Sequence, residues 1–198
     1  MTGIETRVAQ GNPVSHVASV ASFFVGRIDV LVDPLLEQRI AQGGSKADVA
    51  RQVHGEVAIA SAKMAYQIYR DIFSSARYEP LARKGARTQR LLWASTSTKN
   101  PGYSDVKYVE ALIGPDTVNT VPVDTLNAYR DHGDPKVRLE QDVEHATWVL
   151  AQLPELGISI ERVTQQLEDE GVAKFNKPFD KLMQILAKPL QRQLREVP

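Results

Sequence analysis

Arg90 to Asp105 reads RLLWASTSTKNPGYSD. Four apolar residues, Leu91 to Ala94, run into four hydroxyl residues, Ser95 to Thr98, then into Lys99 and an Asn-Pro-Gly turn. The apolar run is too short for a helix and is closed by turn formers, so it predicts a strand over 89–95. A strand that opens directly into hydroxyls and one cation has the form of a parallel-sheet strand with chemistry at its carboxyl end.

The flanking sequence repeats that arrangement. HVASVASFFVGRID (16–29) is rich in valine and phenylalanine and predicts a strand over 16–24, buried on both faces. Asp116 to Val121 predicts a third strand. Ser45-x-x-Asp48 has the form of a capping box with Asp in place of the usual Glu. From there Val49, Val53, Val57, Ala60, Met64 and Ile68 recur at helical spacing to about Phe73. Short helices are expected over Ser104–Ile113, closed by Gly114, and over Pro122–His132, closed by Gly133. Ile4 and Val8 lie one helical turn apart before a Gly-Asn-Pro stop at 11–13, which has the form of the end of a helix.

After Pro135 only helical stripes remain: Leu139, Val143, Ala146 and Leu150; then Ile160, Val163 and Leu167, stopped by Gly171; then Phe175, Phe179, Leu182, Leu186 and Leu190. Strands separated by helices need crossovers, so the fold class is α/β with three parallel βα units and a C-terminal helical extension. Three strands do not close a barrel, and a full (β/α)8 domain typically needs about 250 residues. The pattern therefore describes either a small open sheet or the last part of a barrel. Its expected organisation is one domain, with βα units over 1–134 and helices over 135–198.

The composition narrows the partners. Lysine plus arginine equals aspartate plus glutamate, 24 each, so no global field attracts nucleic acid or anionic lipid. No run reaches the roughly 18 apolar residues of a membrane span, and the first thirteen residues contain no apolar signal core. There is no cysteine, hence no disulfide framework. A cytoplasmic location and a small-molecule or protein partner are the expectations. Glycine-rich nucleotide loops and a Gly-x-Ser-x-Gly elbow are lacking. The histidines at 16, 54, 132 and 145 form no i, i+4 metal pair; His54 and His145 fit surface or interface positions.

Two cations follow strands directly, Arg27 and Lys99. Arginine holds a phosphate bidentately, lysine adds a compact charge, and the amides and hydroxyls of Ser95 to Thr98 supply further donors. The alternative at this level is that Arg27 pairs with Asp29 or Asp33 while Lys99 is solvated. A Schiff-base role for Lys99 would need a depressed pKa, whereas its Thr98 and Asn100 neighbours and the following Pro-Gly place it in a loop. As a cation Lys99 suits a phosphate clamp better than a nucleophile.

Three segments together resemble the carboxyl-terminal half of transaldolase in its long bacterial form: SVASFFVGRID (19–29), LLWASTSTKNPGYSDVKYVEALIGPDTVNTVP (91–122) and LEDEGVAKFNKPFDKLM (167–183). The resemblance implies a (β/α)8 enzyme of the pentose phosphate pathway. Such an enzyme moves a dihydroxyacetone unit from sedoheptulose 7-phosphate to glyceraldehyde 3-phosphate through a lysine Schiff base, with no metal or organic cofactor. The three strands would then be the sixth to eighth of the barrel. Ser22, Phe24 and Arg27 would line the substrate site, with Arg27 on the phosphate, and Ser95 and Lys99 would serve at the neighbouring strand end. The family's Schiff-base lysine and its acid/base carboxylates lie on earlier strands and have no counterpart here, so no catalytic residue is assigned. The resemblance leaves three readings: an inactive half, a module that completes itself with a separate N-terminal half-barrel or in a homo-oligomer, or a gene fragment.

Overall fold

The computed structural model describes residues 1–195, with side chains through residue 187; the side chain of Leu190 and residues 196–198 lie outside what is described. Met1–Ile158 forms one compact unit, and the chain from Ser159 onward forms a second. Among the described residues no helix is long and apolar enough to cross a membrane.

In the first unit the elements run α1 (Thr2–Ala9), β1 (Val20–Phe24), α2 (Val25–Gln42), α3 (Ser45–Val53), α4 (Val57–Phe73), α5 (Glu79–Ala82), β2 (Arg90–Ala94), α6 (Lys107–Ala111), β3 (Thr117–Asn119), α7 (Val123–His132) and α8 (Val143–Glu155). The sheet order is β1-β2-β3, and both pairings are parallel. The three parallel βα units expected from the sequence are therefore present, and they are consistent with part of a (β/α)8 barrel.

Register decides what each strand shows. Phe23 pairs with Trp93 and Trp93 with Asn119, while Ser22 pairs with Leu92 and Leu92 with Val118. In-register residues of parallel strands point the same way. Phe23 accordingly meets Trp93 edge-on, at a centroid separation of 5.8 Å. On β1 the alternate residues Val20, Ser22 and Phe24 are exposed, whereas Ala21 and Phe23 are half-buried. A parallel sheet is ordinarily covered on both faces, whereas one face of this edge strand is uncovered. The expectation that the first strand is buried on both faces is corrected in that respect, and the strand begins at Val20 instead of residue 16.

Several other boundaries move for identifiable reasons. The helical spacing of 45–73 is two helices, because Gly55 adopts φ +76° between α3 and α4, a conformation that suits glycine. The capping box does not form: Gly44 occupies the cap position, Ser45 is already helical, and Asp48 bonds Arg51 at 2.6 Å. Apolar spacing alone does not mark helix α2, since Pro34 and two aspartates interrupt its buried stripe of Ile28, Val32 and Leu36. Leu139 sits in the turn before α8, fully buried, with its N–H on the Ile113 carbonyl. Helix α8 itself packs on α3 and α4.

In the second unit α9 (Ile160–Arg195) passes through Gly171 without a stop. An interior glycine costs only about 1 kcal/mol relative to alanine, and the Glu170–Lys174 ion pair at 2.8 Å spans the position. Phe175, Phe179, Leu182 and Leu186 lie on one exposed face.

Two buried carboxylates of α2 lock the helical layer. Asp29 and Asp33, one turn apart, are 2% and 6% exposed. Asp29 accepts the Ala58 N–H at 2.8 Å and the Tyr108 hydroxyl at 2.8 Å, with the Lys107 ammonium 3.5 Å away. Asp33 accepts the Gly55 N–H at 3.0 Å and the Tyr103 hydroxyl at 2.6 Å. Asp29 therefore serves the N-terminal turn of α4 as a capping carboxylate supplied by another helix. Burial, reinforced by Asp33, holds the Asp29 carboxyl above the usual carboxylate range, against the pull of Lys107 and its two hydrogen-bond donors.

Removing one member of a buried ion pair typically costs about 3–5 kcal/mol; Asp29→Ala should lose that much in urea unfolding. Because the folded-state pKa of Asp29 is raised, the folded chain binds the extra proton, and stability falls as pH rises from the ordinary carboxylate range through that raised value. The stability advantage of wild type over Asp29→Asn should therefore shrink as pH rises from about 4, and a constant difference would contradict the assignment.

Candidate functional site

The carboxyl ends of β1 and β2 are built against one another. Helix α2 starts at Val25 with no intervening loop after Phe24, so residue 27 stands in its first turn. The Gly26 N–H donates to the Ser95 carbonyl at 3.0 Å. A Cβ at Gly26 would stand 2.7 Å from that oxygen and 3.3 Å from the Tyr108 ring. The glycine of the Ser-x-Phe-x-Gly-Arg segment is thus required by close approach. Ser95, the acceptor, has φ +57°, an uncommon conformation for serine. It turns the chain out of β2 so that its carbonyl faces α2.

Beside this contact the Arg27 guanidinium lies 4.6 Å above the Phe24 ring, a cation–π pairing that holds the side chain along the strand end. Phe24 is 37% exposed, and Ser22 precedes it on the same exposed face. The pairing of Arg27 with Asp29 or Asp33 left open by the sequence is not formed, because both carboxylates are taken up by α4, Gly55 and the two tyrosines. Among the described residues Arg27 has no hydrogen-bond acceptor. Ser22, Phe24, Arg27 and Ser95 are therefore brought together along two neighbouring strand ends.

Lys99 is placed differently. Its ammonium donates to Ser97 Oγ at 3.1 Å and is otherwise exposed. It opens on a cavity of about 200 Å³ lined also by Asp29, Asp33, Glu37, Tyr103 and Tyr108. None of Ser22, Phe24, Arg27 or Ser95 lines that cavity. The surroundings of Lys99 are acidic, unlike those of Arg27.

The rest of the second strand end is committed to structure. Thr96 is fully buried and donates to Asn119 Oδ1 at 2.9 Å, joining the ends of β2 and β3. Thr120 returns its N–H to the Trp93 carbonyl at 3.0 Å. Asn100 accepts the Gly102 N–H at 2.8 Å, closing the turn after Lys99. His54 contacts Tyr103 and Glu37 at 3.3 and 3.4 Å. Sequence reasoning missed the supporting role of Asp29, Tyr103, Lys107 and Tyr108; the signal available was two aspartates one turn apart within an apolar helical stripe.

The family model for transaldolase/fructose-6-phosphate aldolase matches residues 5–186. This chain belongs to that family. It is 46% identical to a transaldolase of Trichodesmium erythraeum over 96% of its own length and 51% of the relative's. A transaldolase 2 of a Nostoc strain is 47% identical over 93% and 50%, and a Parafrankia transaldolase 47% identical over 96% and 50%. The chain thus spans about half the length of the curated relatives it matches, as the resemblance to a carboxyl-terminal half implies.

Gly26→Ala should destabilise the first unit by about 1–3 kcal/mol, since the new methyl meets backbone on one side and a buried ring on the other. Arg27→Ala, lacking such a conflict, should leave the unfolding midpoint nearly unchanged in the same urea titration.

Proposed function

We propose that this chain is the phosphate-binding half of a transaldolase, and that alone it does not transfer a dihydroxyacetone unit. The observation that carries the proposal is Arg27: a guanidinium held over Phe24 at a strand end, with no protein acceptor among the described residues. A sugar phosphate there would meet a planar fork of donors suited to a phosphate dianion. Ser22 and Phe24 would line the sugar, and Ser95 would set the strand end behind them. Residues 1–134 supply these βα units, and the helices over 135–198 follow them as a C-terminal extension.

Lys99 is retained as a second, weaker phosphate contact. The carboxylates around its cavity oppose an anion, so its contribution is the smaller. As a nucleophile it is poorly placed, exposed and bonded only to Ser97. Among the described residues Lys63 is the lysine whose pKa is lowered, through burial. It sits on α4, away from the strand ends, and donates to the Gln141 carbonyl at 2.7 Å. Neither lysine has the setting of a Schiff-base nucleophile, which agrees with the family's placing that residue on an earlier strand. Losing a covalent nucleophile removes the reaction's route, whereas losing a phosphate contact weakens binding.

The same reading names the partners: sugar phosphates, and a complementary half-barrel that supplies the lysine and the acid/base carboxylates. The exposed face of β1, with Val20, Ser22 and Phe24 uncovered, supports a role in completing a barrel. A coupled assay with sedoheptulose 7-phosphate and glyceraldehyde 3-phosphate should show no turnover by the purified chain. Co-expression with the amino-terminal half of the Trichodesmium relative should restore it. Loss of one charged hydrogen-bonded contact costs about 1.5–3 kcal/mol. Arg27→Ala should therefore weaken binding of sedoheptulose 7-phosphate to the restored complex by about tenfold or more, and Lys99→Ala by less. Equal effects of the two substitutions would reverse the order proposed for them.

A further inference from the structure

At the opposite end of the sheet lies a second cavity, of about 370 Å³. Ser19 and Gln89, which immediately precede β1 and β2, stand at its rim, so it opens at the amino ends of the strands, away from Ser22, Phe24 and Arg27. Its walls come from α1, from the end of α4 and from α5, all within the first unit.

The lining divides into an apolar body and a cationic mouth. Ile4, Phe73, Tyr78 and Leu81 supply the body. Phe73 and Tyr78 meet edge-on at 5.0 Å, and the Tyr78 hydroxyl is spent on the Ala86 carbonyl at 2.8 Å, leaving its ring as wall. Arg7 and Arg87 supply the charge, and no acidic residue lines the cavity. This is marked in a chain of zero net formal charge.

The two arginines differ. Arg7 donates through Nε to the Pro13 carbonyl at 2.8 Å and approaches His16 Nε2 at 3.3 Å, so its position is set by the loop before β1. Arg87 has no hydrogen-bond acceptor or ion-pair partner among the described residues. A guanidinium without an acceptor at the mouth of an aromatic-walled cavity is suited to an anionic head whose apolar portion enters the cavity. Helix α1 is held against this region by Arg77, which bonds both carboxylate oxygens of Glu5 at 2.7 Å. That ion pair keeps the wall formed by Ile4 in place.

We propose that this cavity binds a small amphipathic organic anion, with a carboxylate or phosphomonoester head on Arg87 and Arg7 and an aryl or aliphatic body against Phe73 and Tyr78. The site is distinct from the sugar-phosphate end, because it lies at the amino ends of the strands, away from Ser22, Phe24 and Arg27. It would also leave the substrate site free.

Isothermal titration of the full chain with phenylacetate, phenyl phosphate, inorganic phosphate and 2-phenylethanol tests the assignment. At least one aryl anion should saturate, and the tighter of the two identifies the head group. Inorganic phosphate and the neutral alcohol should each bind at least about tenfold more weakly, since each offers only half of the interaction. Arg87 is exposed and unpartnered, so Arg87→Gln should keep the wild-type unfolding midpoint while lowering aryl-anion affinity by about fivefold or more. Arg27→Ala should leave that affinity unchanged, which separates this site from the substrate end. Failure of both aryl anions to saturate, equal binding of 2-phenylethanol, or an unchanged affinity in Arg87→Gln would overturn the proposal.

Discussion

The arrangement of the carboxyl ends of β1 and β2 rests on the two buried carboxylates of α2. Asp29 and Asp33 hold the start of α4, the Gly55 break and the two tyrosines around α6. Taking a carboxylate out of water is tolerable only when its lone pairs are satisfied. Each of these has a backbone N–H and a phenol hydroxyl to accept, and Asp29 has Lys107 besides. Because residues two apart on a helix point to roughly opposite sides, fixing Asp29 also fixes where Arg27 points. The Gly26–Ser95 contact completes the constraint, by bringing the start of α2 within one hydrogen bond of the second strand. The arginine's freedom to meet an anion follows from the aspartates being occupied elsewhere.

This division of labour explains why the two cations, alike in sequence, differ in setting. Both follow a strand within a few residues. Arg27 stands on the first turn of a helix whose carboxylates face away from it. Lys99 stands on a loop beside the cavity into which the same carboxylates open. Charge at a strand end is thus an incomplete guide to phosphate binding, and the neighbouring helix decides the sign of the field.

Much of the architecture was legible in the sequence. The alternation of apolar strands and helical stripes is a strong periodic signal, and the parallel three-stranded sheet follows from it. The strand-end residues were also legible, because turn chemistry marks where a strand stops. What was not legible depends on tertiary geometry. Gly55 and Gly171 look alike in sequence, yet one breaks a helix and the other does not. Gly55 adopts positive φ and sits where a Cβ would strike the Tyr103 hydroxyl, whereas Gly171 lies in a helix reinforced by Glu170 and Lys174. The partners of Asp29 are 29 to 79 residues away, beyond any local pattern. The exposed face of β1 has the sequence of a buried one because Val20 and Phe24 are apolar; apolar composition shows that a face is suited to being covered, and not what covers it.

The central claim is that this chain provides the phosphate side of a transaldolase site without its covalent nucleophile. Intact-mass spectrometry after incubation with dihydroxyacetone and sodium borohydride tests it most directly, because reduction makes any Schiff base permanent. The account predicts an unmodified mass for the isolated chain under conditions that label a full-length relative. A single stoichiometric adduct, lost in Lys99→Arg or in Lys63→Arg, would contradict it.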